Sequence, residues 1–320
     1  MFRFLLAIFL CIPLGATAQT AWPQHPVRFI VPFAAGGPVD ISTRLIAKAM
    51  SEILNQSIVV ENRPGAGGNV GAAVVSKAEP DGYTFLISGV APLATNAHLY
   101  SNLTYRPRED FQAVSTFVRY PQAMAVSPKL GVRNMKQLRD LALASPNRIN
   151  FGSAGVGTSG HLIMSSFLHR SGLDMVHVPY KGGSSTTLAL MRGDVDVAID
   201  GLPSFTSQGP ASQLPVLGVS TAERWPLTPD LPTIAEAASL PGFDFSSWVM
   251  LAAPRNTPDS IVSRLAEVAD EALKSAALQS RLKDMGMLTV GGSREKAEHF
   301  LASESEKWKS IIEAAEVKLD

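Results

Sequence analysis

Four times in this chain an extended apolar segment runs into a loop of Gly, Ala and Ser and then into a helical segment. The loops occupy residues 34–40, 65–69, 152–160 and 181–184. Extended and helical segments that alternate in this way specify an α/β fold. In open α/β sheets such loops gather at the carboxyl edge of the strands, where ligands bind. Glycine lets the backbone come close to a guest. The helix that follows aims free N–H groups and a positive dipole end at the loop. The natural guest is an anion, first of all a carboxylate. Any one loop taken alone reads equally well as a tight turn; their recurrence in both halves of the chain favours a shared site.

The remaining segments follow the same rhythm. Strands are expected over 28–33, 57–61, 83–88, 149–152, 175–178, 195–199 and 215–220. Residues 89–92 read as a loop. Residues 111–118 and 122–126 read as two extended runs interrupted at Tyr120-Pro121, which suits a crossing between two lobes. Asn134 with Gln137 three positions later has the form of a capping box. Residues 243–252 are extended and suit a crossing back. Thr257-Pro258 reads as an N-cap followed by proline at the first helical position, and the tail reads as helix. The expected architecture is two α/β lobes, each a sheet flanked by helices. Residues 22–120 with 245–320 form the first lobe, and 121–244 the second.

The 320 residues suffice for two domains of ordinary size. Lys plus Arg equals Asp plus Glu, at 28 each. That balance speaks against nucleic-acid binding, which needs a basic face to neutralise phosphate. Residues 1–18 read as a signal peptide. Arg3 supplies the charge, 4–15 is apolar and too short for a comfortable span, and Ala16-Thr17-Ala18 offers a small-x-small cleavage site. Cleavage is expected near Ala18, with export to the periplasm. Cys11, the only cysteine, lies in this leader. The mature chain would then hold no disulfide, thiolate nucleophile or cysteine metal site.

Motifs for catalysis and cofactors are weak. Gly155-x-Gly157-x-x-Gly160 follows a strand and matches a dinucleotide fingerprint. The next strand ends at Val178-Pro179-Tyr180, without the acidic partner that motif requires. No lysine of the Walker type follows the glycines, and no G-x-S-x-G elbow occurs. The six histidines lack metal spacing. The expectation is therefore no catalytic residue, no cofactor and no metal.

Candidate ligand-binding residues come from the loops and the strand ends before them: Phe33, Ala34, Ala35, Gly36, Gly37, Asp40, Ser88, Gly89, Ser153, Gly157, Thr158, His161, Tyr180, Lys181, Gly182 and Asp200. Several have an alternative role. His161 would donate to a ligand or bond to nearby backbone at its helix start. Lys181 would pair with a ligand carboxylate, or be solvated or ion-paired. Asp40 would cap its helix. Asp200 would accept from a ligand amine or hydroxyl, or anchor a turn.

Five motifs in fixed order carry a resemblance. They are Val31-Pro32-Phe33-Ala34-Ala35-Gly36-Gly37 with Asp40 and Arg44; Val60-Glu61-Asn62-Arg63-Pro64-Gly65-Ala66-Gly67-Gly68; Pro80-Asp81-Gly82-Tyr83-Thr84; His177-Val178-Pro179-Tyr180-Lys181-Gly182; and Pro232-Thr233-Ile234-Ala235-Glu236. With them the chain resembles the Bug family, the substrate-binding proteins of tripartite tricarboxylate transporters. The resemblance implies a two-lobed periplasmic-binding-protein fold. It implies a small carboxylate ligand: a di- or tricarboxylate, an acidic amino acid or an aromatic acid. It implies that backbone groups and ordered water near the first-strand loop hold the ligand carboxylate. Departures from the family pattern occur at Gln208-Gly209-Pro210-Ala211-Ser212 and at 186–189.

The expected function is reversible capture of a small carboxylate by a monomer whose lobes close on a hinge. Membrane transporter subunits would then receive it. A sensor subunit for a membrane signalling protein is the alternative. A cleft enzyme would need a nucleophile–base pair, which the sequence does not offer.

Overall fold

The computed structural model describes residues 22–206 and 214–314. The expected leader and the Gln208–Ser212 departure lie outside these residues. Ten strands form one curled sheet: β1 (Val27–Val31), β2 (Ile58–Asn62), β3 (Thr84–Ser88), β4 (Phe111–Val126), β5 (Asn150–Ser153), β6 (Val176–Pro179), β7 (Val197–Gly201), β8 (Val216–Val219), β9 (Ser246–Pro254) and β10 (Leu288–Thr289). Their order is β2-β1-β3-β9-β4-β7-β5-β6, with β8 and β10 also paired to β4. Helices flank the sheet, and the expected α/β class with sheets flanked by helices is what the chain forms.

The strand β4 organises the molecule. Its residues 111–121 pair antiparallel with β9, and residues 122–126 pair antiparallel with β7. β1, β2 and β3 are mutually parallel, as are β5, β6 and β7. Because β9 is antiparallel to both β3 and β4, β3 runs the same way as β4. β7 runs against β4. The two parallel sets therefore point in opposite directions along one strand, and their carboxyl edges face each other across the change of partners at Pro121/Gln122. Gly201, at the end of β7, sits opposite Gln122. This antiparallel placement sends the loops of both halves into the same gap.

Three local expectations differ from the structure. Tyr120-Pro121 does not interrupt the chain, because β4 is one strand of 16 residues. Pro121 faces Ser246, the first residue of β9, so its missing N–H falls where one ladder ends and the next begins. Residues 91 and 92, within the loop expected over 89–92, begin a helical segment that runs to residue 99. The Tyr105 hydroxyl stabilises that segment from a distance, bonding the Pro92 carbonyl (3.1 Å) and Asn69 Oδ1 (2.9 Å). The helix after Thr257 begins at Asp259, with Pro258 at the cap in an extended conformation. Thr257 makes no capping bond; its carbonyl accepts instead from Gln112 Nε2 (3.1 Å). Asn134 does cap its helix, accepting from the Gln137 N–H at 2.9 Å, while Gln137 Oε1 accepts from the Arg133 N–H.

The cores lie on the two faces of the sheet. One gathers Phe29, Phe85, Ile87, Phe117 and Leu251 under the helices Pro38–Leu54 and Asp259–Leu273. Another joins Trp248, Phe243, Phe245 and Trp308, packing the helix Arg294–Ala314 against β9. Glu304 is buried there and accepts from both Trp248 Nε1 (2.8 Å) and Trp308 Nε1 (3.3 Å). Removing apolar surface of this extent from water is the main stabilising term. No helix among the described residues is long and apolar enough to cross a membrane.

Candidate functional site

A cavity opens where the two carboxyl edges meet. Its volume is about 60 Å³. Phe33, Gly37, Pro38, Val39 and Asp40 line it from the end of β1 and the helix start beyond. Gly89, Val90 and Ala91 come from the end of β3. Tyr120 and Gln122 come from β4, and Ser247 and Trp248 from β9. The second half supplies Ala154, Thr158, Ser159, Gly183 and Asp200. No Lys, Arg or His is in this lining.

Three helices begin at the cavity: Pro38–Leu54, Ser159–Ser171 and Gly183–Arg192. Each has at least ten residues, so each carries a developed dipole and first-turn N–H groups that the helix itself leaves free. None of the three N-caps is satisfied by a side chain. One helix start comes from the first half and two from the second. An anion placed between them meets N–H donors from both sides.

The loop after β1 is held by a polar cluster at its base. Asp40 Oδ2 accepts from the Gly36 N–H (2.9 Å), and Oδ1 accepts from Asn62 Nδ2 (2.9 Å) and pairs with Arg44 (2.9 Å). Asn62 Nδ2 also donates to the Phe33 carbonyl (3.0 Å), and Arg44 donates to Asn62 Oδ1 (2.8 Å). Burial alone would raise the Asp40 pKa. Hydrogen bonds from Arg44, the Gly36 N–H and Asn62 outweigh it and hold the carboxyl below its ordinary value. Gly36 adopts φ +81°, the left-handed region that glycine enters without strain. Gly37 has φ −85° and needs no such freedom; its importance lies in its place on the cavity wall.

The two halves touch around the cavity. The Ala34 N–H donates to the Lys181 carbonyl (3.3 Å), and Ser184 Oγ donates to the Ala35 carbonyl (3.0 Å). Thr95 Oγ1 donates to the Gly157 carbonyl (3.3 Å). Gln122 Nε2 donates to Ser159 Oγ (3.2 Å) and Ser247 Oγ (2.6 Å). The molecule is thus seen with its loops closed on one another.

Of the residues singled out in the sequence, Phe33, Gly37, Asp40, Gly89, Thr158 and Asp200 line the cavity. Ala34, Ala35, Gly36 and Gly182 form the rim where the loops meet. Ser88 is buried at the end of β3, just before Gly89. Lys181 contributes its backbone to the rim and its side chain is exposed. Tyr180 packs partly buried against the cluster around Leu190 and Val195. Ser153, Gly157 and His161 are not in the lining and bond to neighbours outside it. His161 Nδ1 accepts from the Gly157 N–H (3.2 Å), and Ser153 Oγ bonds His177 Nε2 (2.7 Å). His161 stacks on His177 with ring centroids 4.1 Å apart, and His177 stacks on Phe151 at 4.7 Å. Burial lowers the pKa of His161 to about 4. Burial, with His161 as neighbour, lowers His177 to about 3. His161 therefore takes the backbone-bonded role and stands as a neutral core histidine.

Sequence reading missed Tyr120, Gln122, Ser247 and Trp248. They sit inside strands that look like ordinary core runs, and only the register of β4 with β9 brings them to the gap. The Tyr120 phenol is held protonated by its burial, with Asp200 nearby. Asp200 has its pKa raised to about 6 by burial, opposed by bonds from the Gly201 N–H and Ser204.

Known proteins share this fold. A model of the "Tripartite tricarboxylate transporter family receptor" matches residues 42–317. BugT of Bordetella pertussis is 31% identical over 299 residues, covering 93% of this chain and 91% of BugT. The solved structure "R. palustris Rpa4515 with adipate" superposes with a TM-score of 0.90 at 35% identity, covering 93% of this chain and 99% of the other. MatC from Rhodopseudomonas palustris, "with bound malate", superposes at 0.86 with 29% identity, covering 91% of this chain and all of MatC. The chain belongs to the tripartite tricarboxylate transporter receptor family, the family of the Bug solute-binding proteins.

Proposed function

We propose that this protein is a periplasmic solute-binding protein that captures a small carboxylate in the cavity and delivers it to membrane transporter subunits. The observation that carries this reading is the meeting of three helix N-termini at one cavity lined without a cationic side chain. Such a wall holds a carboxylate through backbone N–H groups and dipoles rather than through an ion pair. Adipate and malate in the two similar structures support the ligand class.

On this reading residues 22–120 with 245–320 act as one lobe and 121–244 as the other. The chain crosses between them beside Pro121 and Ser246. Opening would part the Ala34–Lys181 and Ser184–Ala35 contacts and leave the strand pairing within each lobe intact, as hinge closure requires. The leader, cleaved near Ala18, would direct export, and the mature protein would act as a monomer.

Calorimetry tests the ligand class directly. Titrating dicarboxylic acids of four to six carbons and their diamides should give binding for acids alone, because only a carboxylate exploits the converging dipoles. Equal affinity for an acid and its amide sinks the proposal.

A further inference from the structure

We propose that Asp200, with Gln122 as a second acceptor elsewhere in the same lining, selects acids carrying a hydroxyl or ammonium donor over the corresponding plain acids. The inference rests on the carboxylate reading above and narrows it. Two buried acceptors in the cavity wall have no partner. Asp200 is 7% exposed; its Oδ1 accepts from the Gly201 N–H (2.6 Å) and from Ser204 Oγ (3.2 Å), while its Oδ2 has none. Gln122 is 3% exposed; its Nε2 is taken by Ser159 and Ser247, while its Oε1 has none. Buried polar atoms are nearly always paired, and an orphan costs its full desolvation. Two orphans in one cavity lining point to a donor that arrives with the guest.

Strand register places these acceptors at neighbouring positions of β4 and β7 but on opposite faces of the pair, and both residues line the cavity. Gln122 faces Gly201 and Ala123 faces Asp200 across β4 and β7. Gly183 leaves the carboxylate room. A Cβ there would lie 2.9 Å from Asp200 Oδ2 and 2.7 Å from Ser204 Oγ, so the absence of a side chain keeps this pocket open beside the helix start.

Charge separates the possible guests. Asp40, the other carboxylate in the lining, is already engaged by Arg44, Asn62 and the Gly36 N–H. Asp200 has no cation beside it in the lining. A plain dicarboxylate leaves both acceptors unpaired and brings negative charge toward Asp200. An acid with a hydroxyl or ammonium keeps its carboxylate at the helix starts and turns its donor to Asp200 Oδ2, beside Gly183. Sites built to bond a particular donor reject analogues that lack it strongly, because the buried partner is then stranded.

The test is a matched series measured by calorimetry on the unmodified protein: succinate, L-malate and L-aspartate, then propionate, L-lactate and L-alanine. Within at least one series the hydroxy or amino acid should bind at least tenfold more tightly than its plain analogue. Asp200→Asn keeps an oxygen for Gly201 and Ser204 but presents an amide N–H₂ to the cavity. That variant should reduce the preference to less than about threefold. Acids that bind with no preference for the donor overturn this inference and leave the carboxylate reading standing. If no acid of either series binds, the carboxylate reading fails and takes this inference with it. A preference kept in full by a folded Asp200→Asn also overturns the inference, and the wild-type comparison decides it even if that variant does not fold.

Discussion

Asp40 and Asp200 face the same cavity with opposite proton affinities. Both are buried. Asp40 answers burial with an arginine, an asparagine and a backbone N–H, and stays ionised. Asp200 has two donors on one oxygen and none on the other, so burial raises its pKa to about 6. One carboxylate shapes the loop; the other is left available.

Asp200→Asn should stabilise the ligand-free protein at neutral pH. The folded pKa of about 6 lies above the ordinary aspartate value of 3.8. Asp200 therefore favours folding fully below pH 3.8, and that contribution is lost as pH rises to about 6. That difference sets an upper bound of about 3 kcal/mol, at about 1.4 kcal/mol for each tenfold change in proton affinity. A gain of ~1–3 kcal/mol is expected at pH 7.5, shrinking toward zero near pH 4. Urea melts of both proteins at the two pH values check it, and a gain that is equal at both would contradict it.

The His161–His177 stack should make the fold acid-sensitive. Folded pKa values of about 4 and about 3 lie below the ordinary histidine value of 6.5. Their stabilising contribution is complete above pH 6.5 and falls as pH drops toward 4, because the unfolded chain takes up the protons first. His177→Phe keeps a ring between Phe151 and His161 and removes one of the two titrations. Its stability should fall less steeply than wild type between pH 6.5 and 4. The slope of the urea midpoint against pH is the readout, and parallel slopes would count against a buried neutral pair.

Gly36 and Gly37 should respond differently to substitution. Gly36→Ala forces a side chain into φ +81° and should cost about 1–2 kcal/mol of stability. Gly37 is at φ −85°, where a Cβ would lie 3.9 Å from the Gly183 N across the gap. Gly37→Val should melt within a few degrees of wild type, yet lose carboxylate affinity at least tenfold by wedging the loops apart. Circular-dichroism melts and calorimetry run side by side separate the two effects. Wild-type affinity in Gly37→Val would remove the cavity wall at Gly37 from the binding site.

Ser184→Ala removes the hydroxyl that spans the gap to the Ala35 carbonyl. The bond lies on the exposed rim, so the expected loss of affinity is two- to tenfold, about 0.5–1.4 kcal/mol. Because the closed form gains this contact and the open form does not, the loss should appear as faster ligand release. Stopped-flow displacement measures it; an unchanged release rate would mean that the contact does not hold the closed state.

The sequence by itself determined the α/β class, the helix starts and the loops that could approach an anion. These are local properties. Asp40 sits four residues after Gly36 and four before Arg44, so its cluster is largely written in a single loop and helix turn. The tertiary structure alone decided which groups reach the cavity. Gln122 and Ser247 are 125 positions apart and meet only through the register of β4 with β9. His161 and Ser153 belong to glycine-loop segments that read as ligand-facing, yet stacking with His177 and a serine bond turn them into the second half's interior. Lys181 reads as the cation for a carboxylate, yet its carbonyl meets Ala34 and its side chain is exposed. Periodicity reports which backbone can form an element. It carries no information on the long-range register that pairs side chains across a gap, and in this protein that register sets the chemistry of the site.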